Sequence, residues 1–226
     1  MNGWRSEIYE LHSIPGGLCT SWKRRGRSSS ASYTFDGGVR YLSGTAPHSK
    51  VHQLWEELGL LHDRPIYYYD EFTRYEGEDG RTFHVYTDID RLGAHMRELA
   101  PQDGALIDEF VTALHQFTQM ELPVDLTPNG ARGLMQMGRE MTPVLLPVLR
   151  WRNVTVREFA ARFKDPLLRQ ALPEFFQFSP PDFPMMLLLT TLANMNDREA
   201  GYPIGGSLAL ARDLARQYEA LGGQVH

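Results

Sequence analysis

Residues 7–44 read EIYELHSIPGGLCTSWKRRGRSSSASYTFDGGVRYLSG. The run Ile8–Tyr9, ending in Glu10, is apolar and β-prone and predicts a short buried strand. Pro15-Gly16-Gly17 follows as a breaker cluster. Adjacent glycines let backbone N–H groups approach a ligand, because no Cβ stands in the way. A second β-prone run, Tyr33-Thr34-Phe35-Asp36, leads into Gly37-Gly38. An acid closing a strand ahead of glycine-rich turns is the chemistry of a dinucleotide site. The carboxylate accepts from ribose hydroxyls, and the glycines let the chain pass along a pyrophosphate.

Outward from this stretch, the 226 residues carry 42% hydrophobic, 11% aromatic and 23% charged side chains, a globular composition. The net charge of −5 argues against nucleic acid as the main partner. One cysteine, Cys19, excludes a disulfide framework and points to a reducing, cytoplasmic setting. The first ten residues hold no signal-peptide core. The longest apolar block, Met185–Leu189 with Leu192 and Ala193, is too short to cross a bilayer. The eight histidines are scattered, and neither metal-ligand spacing nor a G-x-S-x-G or P-loop motif occurs. His12 reads as a solvated loop residue, and Cys19 as a small packing residue.

Lys23-Arg24-Arg25-Gly26-Arg27 and the serines after it read as an exposed loop with solvated charges. The alternative is contact with the phosphates of a dinucleotide or with an anionic membrane surface. A helix is predicted from Ser49 to Leu60, with Val51, Leu54, Trp55 and Leu58 on one face and a stop at Gly59. The runs 66–74 and 82–86 flank Asp79-Gly80 and predict an aromatic hairpin. Further helices are predicted over 89–99, 102–120, 134–149, after the capping box Thr155-x-x-Glu158, over 167–172, over 185–195, and over 208–221 with Ser207 as cap. Met135, Met137 and Met141 read as adaptable core.

Three segments in order, IYELHSIPGGLCTSW (8–22), YTFDGG (33–38) and GYPIGGSLALARDLA (201–215), resemble the flavin-dependent amine oxidase and phytoene desaturase superfamily. Within it, the branch of carotenoid desaturases, carotenoid isomerases and retinol saturases is the nearest in pattern. The resemblance implies an α+β chain: an α/β FAD-binding fragment plus a mostly helical substrate domain with a β-hairpin. It implies residues 1–47 as a partial FAD-binding domain, 48–200 as a substrate or cap domain, and 201–226 as the return to the FAD domain. The family begins with a strand and a G-x-G-x-x-G turn ahead of the acid-bearing strand. Here only Met1–Ser6 precede it, so the fold is expected to be an incomplete Rossmann-like FAD/NAD(P)-binding fold, part of a larger flavoprotein or a shortened gene product.

Carried over residue by residue, the resemblance places Glu10 at the adenosine ribose and Pro15, Gly16, Gly17 and Leu18 along the flavin path. Asp36, Gly37 and Gly38 would approach the flavin from its other side. Tyr69 and Phe72 on the hairpin, and Tyr202, Gly205 and Gly206 at the domain junction, would lie on the substrate side. The cofactor would be FAD, with N5 exchanging a hydride, and the substrate a hydrophobic isoprenoid. The partners implied are that small molecule and the membrane periphery, met at an opening near Met141–Leu149. The competing reading is a non-catalytic helical cap or binding module for an apolar ligand or partner chain.

Overall fold

The computed structural model describes residues 5–27, 30–120, 145–176, 180 and 182–226. In chain order it holds β1 (Glu7–Ile8), β2 (Ser21–Arg25), β3 (Ser32–Asp36), β4 (Leu42–Ser43), α1 (Lys50–Glu57), β5 (Ile66–Tyr67), β6 (Glu71–Glu76) and β7 (Thr82–Tyr86). After these come α2 (Ile89–Leu99), α3 (Gly104–Thr118), α4 (Val156–Ala160), α5 (Pro166–Ala171), α6 (Met185–Asn196), β8 (Ala200–Pro203), α7 (Gly206–Ala220) and β9 (Gln224–Val225). Residues 145–151 are also helical. Helix and strand are mixed, as an α+β chain requires. Met135, Met137 and Met141, expected as adaptable core, and the start of the expected 134–149 helix lie outside the described residues.

The chain divides into two compact units, Met1–Tyr68 with Glu199–His226, and Tyr69–Arg198. Residues 48–68 therefore group with the first unit rather than with the substrate domain expected from position 48. Three contacts account for this. Trp55 Nε1 donates to the Ser43 carbonyl at 2.8 Å, Arg64 pairs with Asp213, and β5 joins β8.

In the first unit β1 pairs in parallel with β9, Glu7 opposite Gln224 and Ile8 opposite Val225. Glu10 N–H donating to His226 O, and His226 N–H to Ile8 O, both at 2.8 Å, prolong the ladder. The strand predicted at Ile8–Glu10 thus exists but is not buried: Glu7 and Ile8 are exposed. The physical reason is that, among the described residues, β1 has a strand neighbour on one edge only. A parallel strand reaches full burial only when both edges and both faces are covered. The basic run is a second departure from expectation. Lys23–Arg25 belong to β2, which pairs antiparallel with β3, so the segment is one arm of a hairpin rather than a loop. A three-stranded antiparallel sheet, β4-β8-β5, completes the unit.

Helix α7 begins at Gly206, with Gly205 as N-cap, and no capping side chain of its own. Ser207 is therefore not the cap expected from sequence; its neighbour Asp36, on β3, supplies the carboxylate. The other end closes as predicted. Gly222 adopts φ +90°, its N–H reaches Glu219 O, and Gly223 N–H reaches Tyr218 O. This pair of bonds is a Schellman closure, which needs a left-handed residue after the last helical turn. The same two-bond pattern ends α1, with Gly59 N–H to Glu56 O and Leu60 N–H to Trp55 O.

The second unit holds a continuous buried core, from Phe83 and Val85 on β7 to Leu192 and Ala193 on α6. The predicted hairpin is present with a shifted first arm: β6 and β7 pair antiparallel around Gly77–Gly80, with a shift in register between Glu71 and Thr73, whereas Ile66–Tyr67 of the expected arm forms β5 and pairs with β8 in the first unit. Helix α2 is capped by Asp88, whose carboxylate accepts from Arg91 N–H at 2.7 Å. The Thr155–Glu158 capping box is reciprocal, with both bonds formed. Each cap satisfies orphan amides that a helix start leaves exposed. The buried Asp103 and Asp165 form a knot with the partly exposed Arg81. Asp103 accepts the N–H groups of Lys164 and Asp165, while Asp165 accepts those of Leu167 and Leu168 and also an Arg81 guanidinium hydrogen at 2.9 Å.

His95 on α2 carries a pH-dependent contribution. Its Nε2 accepts the backbone N–H of His84 at 3.1 Å, so that nitrogen must be unprotonated. Burial, and then the nearby His84, hold its pKa below the ordinary histidine value, while Glu98 opposes them weakly. His84 itself is bonded to Glu71 at 2.9 Å, and Glu71 to Arg74. A histidine held neutral when folded protonates more readily when unfolded, so this stability is present above about pH 6.5 and is lost as pH falls below it. His95→Gln keeps an acceptor without the titration. It is expected to flatten the decline in melting temperature between about pH 7 and pH 5.5, read by circular dichroism; an unaltered slope would remove His95 from the account.

Candidate functional site

A cavity of about 610 Å³ opens in the first unit. One wall is α7, through Leu210, Ala211, Leu214, Ala215, Tyr218 and Leu221. These positions recur at three and four residues, so they share one helix face. Only the first part of that face, Leu210 and Ala211, is buried by the unit itself. Trp55, Leu58 and Leu60, from α1 and its closing turn, form a second wall. Ile8 and Val225 add the parallel pair, and Glu10, Pro15, Gly16 and Cys19 border the space. Among the described residues the lining is almost wholly apolar, with Glu10 as its one acid.

Glu10 stands just past the carboxyl end of β1. Open parallel sheets bind ligands beyond the carboxyl ends of their strands, because the diverging connections leave a crevice there. One carboxylate oxygen, Oε1, accepts the N–H of His12 at 3.0 Å. His12 in turn accepts from Ile14 N–H through Nδ1 and is exposed.

The residues expected to serve the cofactor do not all meet here. Glu10, Pro15 and Gly16 border the cavity. Gly16 has φ +110°, and a Cβ there would lie 2.5 Å from Cβ of Ala211 and 2.8 Å from the Cys19 carbonyl. Close approach to α7 explains this glycine without any ligand. Gly17 faces open space, and Leu18 is 90% exposed. Gly37 lies against the Trp22 ring, and Gly38 against the Leu18 carbonyl and Ser207.

Asp36 serves the helix instead. Its carboxylate accepts the Tyr202 hydroxyl at 2.7 Å, Ser207 N–H at 2.8 Å, Gly38 N–H at 3.2 Å and the Ser207 hydroxyl. Val39 N–H donates to Ser207 Oγ at 2.6 Å, which joins the strand end to the helix start. Burial pushes the Asp36 carboxyl up, but the Ser207, Tyr202 and Gly38 donors together outweigh it and hold the group below its ordinary value. Tyr202 and Gly206 thus gather around Asp36, and Gly205 is the N-cap residue of the same helix. Tyr69 and Phe72 belong to the second unit, where the Tyr69 carbonyl accepts the Thr87 hydroxyl and the Phe72 ring packs on Phe176 at 5.7 Å.

The α7 stripe is what residue-type reasoning missed. Its signal was legible: Leu210, Leu214, Tyr218 and Leu221 follow helical spacing within a segment read only as a helix.

Residues 1–58 match the NAD(P)-binding Rossmann-like domain family. This supports an FAD/NAD(P)-binding Rossmann-like domain of the amine oxidase-like class, a dinucleotide cofactor and oxidoreductase chemistry. The matched segment contains β1, Glu10, both glycine pairs and α1. No curated protein matches the chain. Among the described residues, no group of three or more His, Cys, Asp or Glu side chains could hold a metal ion, and no helix is long and apolar enough to cross a membrane.

Proposed function

We propose that the first unit binds the adenosine end of a flavin adenine dinucleotide beyond β1, in an oxidoreductase acting on carbon–carbon double bonds of a hydrophobic isoprenoid. The observation that carries the reading is the position of Glu10. It closes a strand of a parallel pair, borders an apolar cavity, and spends one of its oxygens on His12. A carboxylate so placed suits a ribose diol, and the apolar walls suit an adenine ring. The flavin, when bound, would supply the hydride chemistry.

The fit is incomplete. A pyrophosphate is usually held by the free N–H groups at a helix start. The α7 start already holds Asp36, and a second anion there would be repelled. The residues described therefore fit the ribose and adenine but not the phosphates. That mismatch favours a second reading, a non-catalytic module for an apolar ligand or partner chain.

A visible spectrum separates the two. Equilibrated with FAD, the chain is expected to perturb the flavin bands reversibly and to lose the colour on desalting. A folded chain that leaves the flavin spectrum unchanged at every concentration favours the binding module.

A further inference from the structure

The β2–β3 hairpin is an aromatic and cationic ribbon for which the cofactor reading has no use. Trp22 lies opposite Phe35, and Arg24 opposite Tyr33. Alternation along each strand puts these four side chains on one face of the ribbon. Trp22, Tyr33 and Phe35 are 52%, 54% and 56% exposed. Lys23 and Arg25 project to the other face, and Arg27 follows them. All four cations are exposed. The one acid of the ribbon, Asp36, is held by Tyr202 and Ser207.

A two-stranded ribbon is marginal in water alone, and three half-bare aromatics are an unusual load for one. Charge points to the kind of surface that would suit them. The first unit carries ten Lys and Arg against nine Asp and Glu, so the deficit of the whole chain sits in the second unit. Four of those ten cations fall within residues 23–27. Pairing with a second copy would bring these clusters together, and like charge at a sheet edge disfavours that.

We propose that this hairpin docks on an anionic lipid surface, with Trp22, Tyr33 and Phe35 at the headgroup level and Lys23, Arg24, Arg25 and Arg27 against lipid phosphates. Trp and Tyr have an apolar body and a polar tip that suit this boundary. Lys and Arg can lay their stems on the apolar side and keep their charges on the headgroups. Each cation near such a surface strengthens binding about fivefold, and the attraction fades within a Debye length. The inference stands apart from the cofactor reading, since no hairpin residue named here borders the cavity.

The test is co-sedimentation of the full chain with vesicles of phosphatidylcholine alone and of phosphatidylcholine mixed with phosphatidylglycerol. Binding is expected to the mixed vesicles only, and to weaken as salt rises from about 0.1 M to about 1 M. Trp22→Ala with Phe35→Ala, and separately the triple change Lys23→Glu, Arg24→Glu, Arg25→Glu, should each lower the partition coefficient by about tenfold or more. All five positions are exposed, so the melting temperature should hold. Three results would overturn the proposal: absence of the folded chain from the mixed-vesicle pellet, equal binding by wild type and both variants, or hairpin-dependent dimers or oligonucleotide binding without vesicle binding. Vesicle binding without any flavin response would retain this proposal and remove the cofactor reading.

Discussion

Replacing Asp165 with alanine is expected to destabilise the second unit by about 2–4 kcal/mol, because several hydrogen bonds to one buried charged group are lost together. The carboxylate is 4% exposed and does three jobs at once. It caps α5 through Leu167 and Leu168 N–H, it receives Arg81 from the β6–β7 turn, and it accepts from Gln102 Nε2 at 3.5 Å. Alanine leaves the α5 amides unpaired and the Arg81 guanidinium short of a partner, although Asp79 still holds that arginine at 2.7 Å. Asp165→Asn keeps an acceptor for the cap and loses the charge, so it should cost less, about 1–3 kcal/mol. Urea unfolding followed by circular dichroism reads both. An alanine variant within about 0.5 kcal/mol of wild type, the range of a surface change, would mean that the knot contributes little.

Asp36→Ala is expected to cost the first unit about 2–4 kcal/mol, because several hydrogen bonds to one charged group are lost together. The variant leaves Ser207 N–H and the Tyr202 hydroxyl without their acceptor, and α7 without a cap. Ser207 is fully buried, so water does not easily replace the lost partner. The pH dependence has a definite sign. The folded carboxyl titrates below its ordinary value, so its contribution is present above about pH 4 and is lost as pH falls through the lower folded value. Wild type should therefore lose stability below about pH 4 more steeply than the Asp36→Asn variant. Parallel acid-unfolding curves for the two would remove Asp36 as the latch between β3 and α7.

Much of the second unit was readable because its signals are local. Asp88, Thr155–Glu158 and Asp79-Gly80 are caps and turns whose chemistry acts within a few residues. Helix α2 begins and ends where the sequence predicts, at Ile89 and Leu99, and α4 starts directly after its capping residue. The first unit was less legible because its determinants lie far apart in the chain. Nothing in Trp22–Arg25 shows that Ser32–Asp36 will pair with it, so the basic run read as a loop. Nothing near Ser207 shows that a carboxylate 171 residues earlier will take over its predicted capping role. The glycines carried the same ambiguity. Pro15-Gly16-Gly17 and Gly37-Gly38 suit a phosphate path, but they also suit close packing against Ala211, Trp22 and the Leu18 carbonyl, and packing accounts for Gly16, Gly37 and Gly38. Glu10 differs from these because, among the described residues, no helix or strand claims its second oxygen. The Rossmann-like match over residues 1–58 bears on the domain and leaves the choice of substrate to the proposal above.

The central claim is that Glu10 receives a ribose, and titration calorimetry with adenosine addresses it with neither a flavin ring nor a phosphate. The wild-type chain is expected to bind, and Glu10→Ala to bind about 10- to 100-fold more weakly at unchanged melting temperature, as the loss of hydrogen bonds to one charged group requires. Equal affinity of the two proteins, or no heat with the folded wild type, would contradict it.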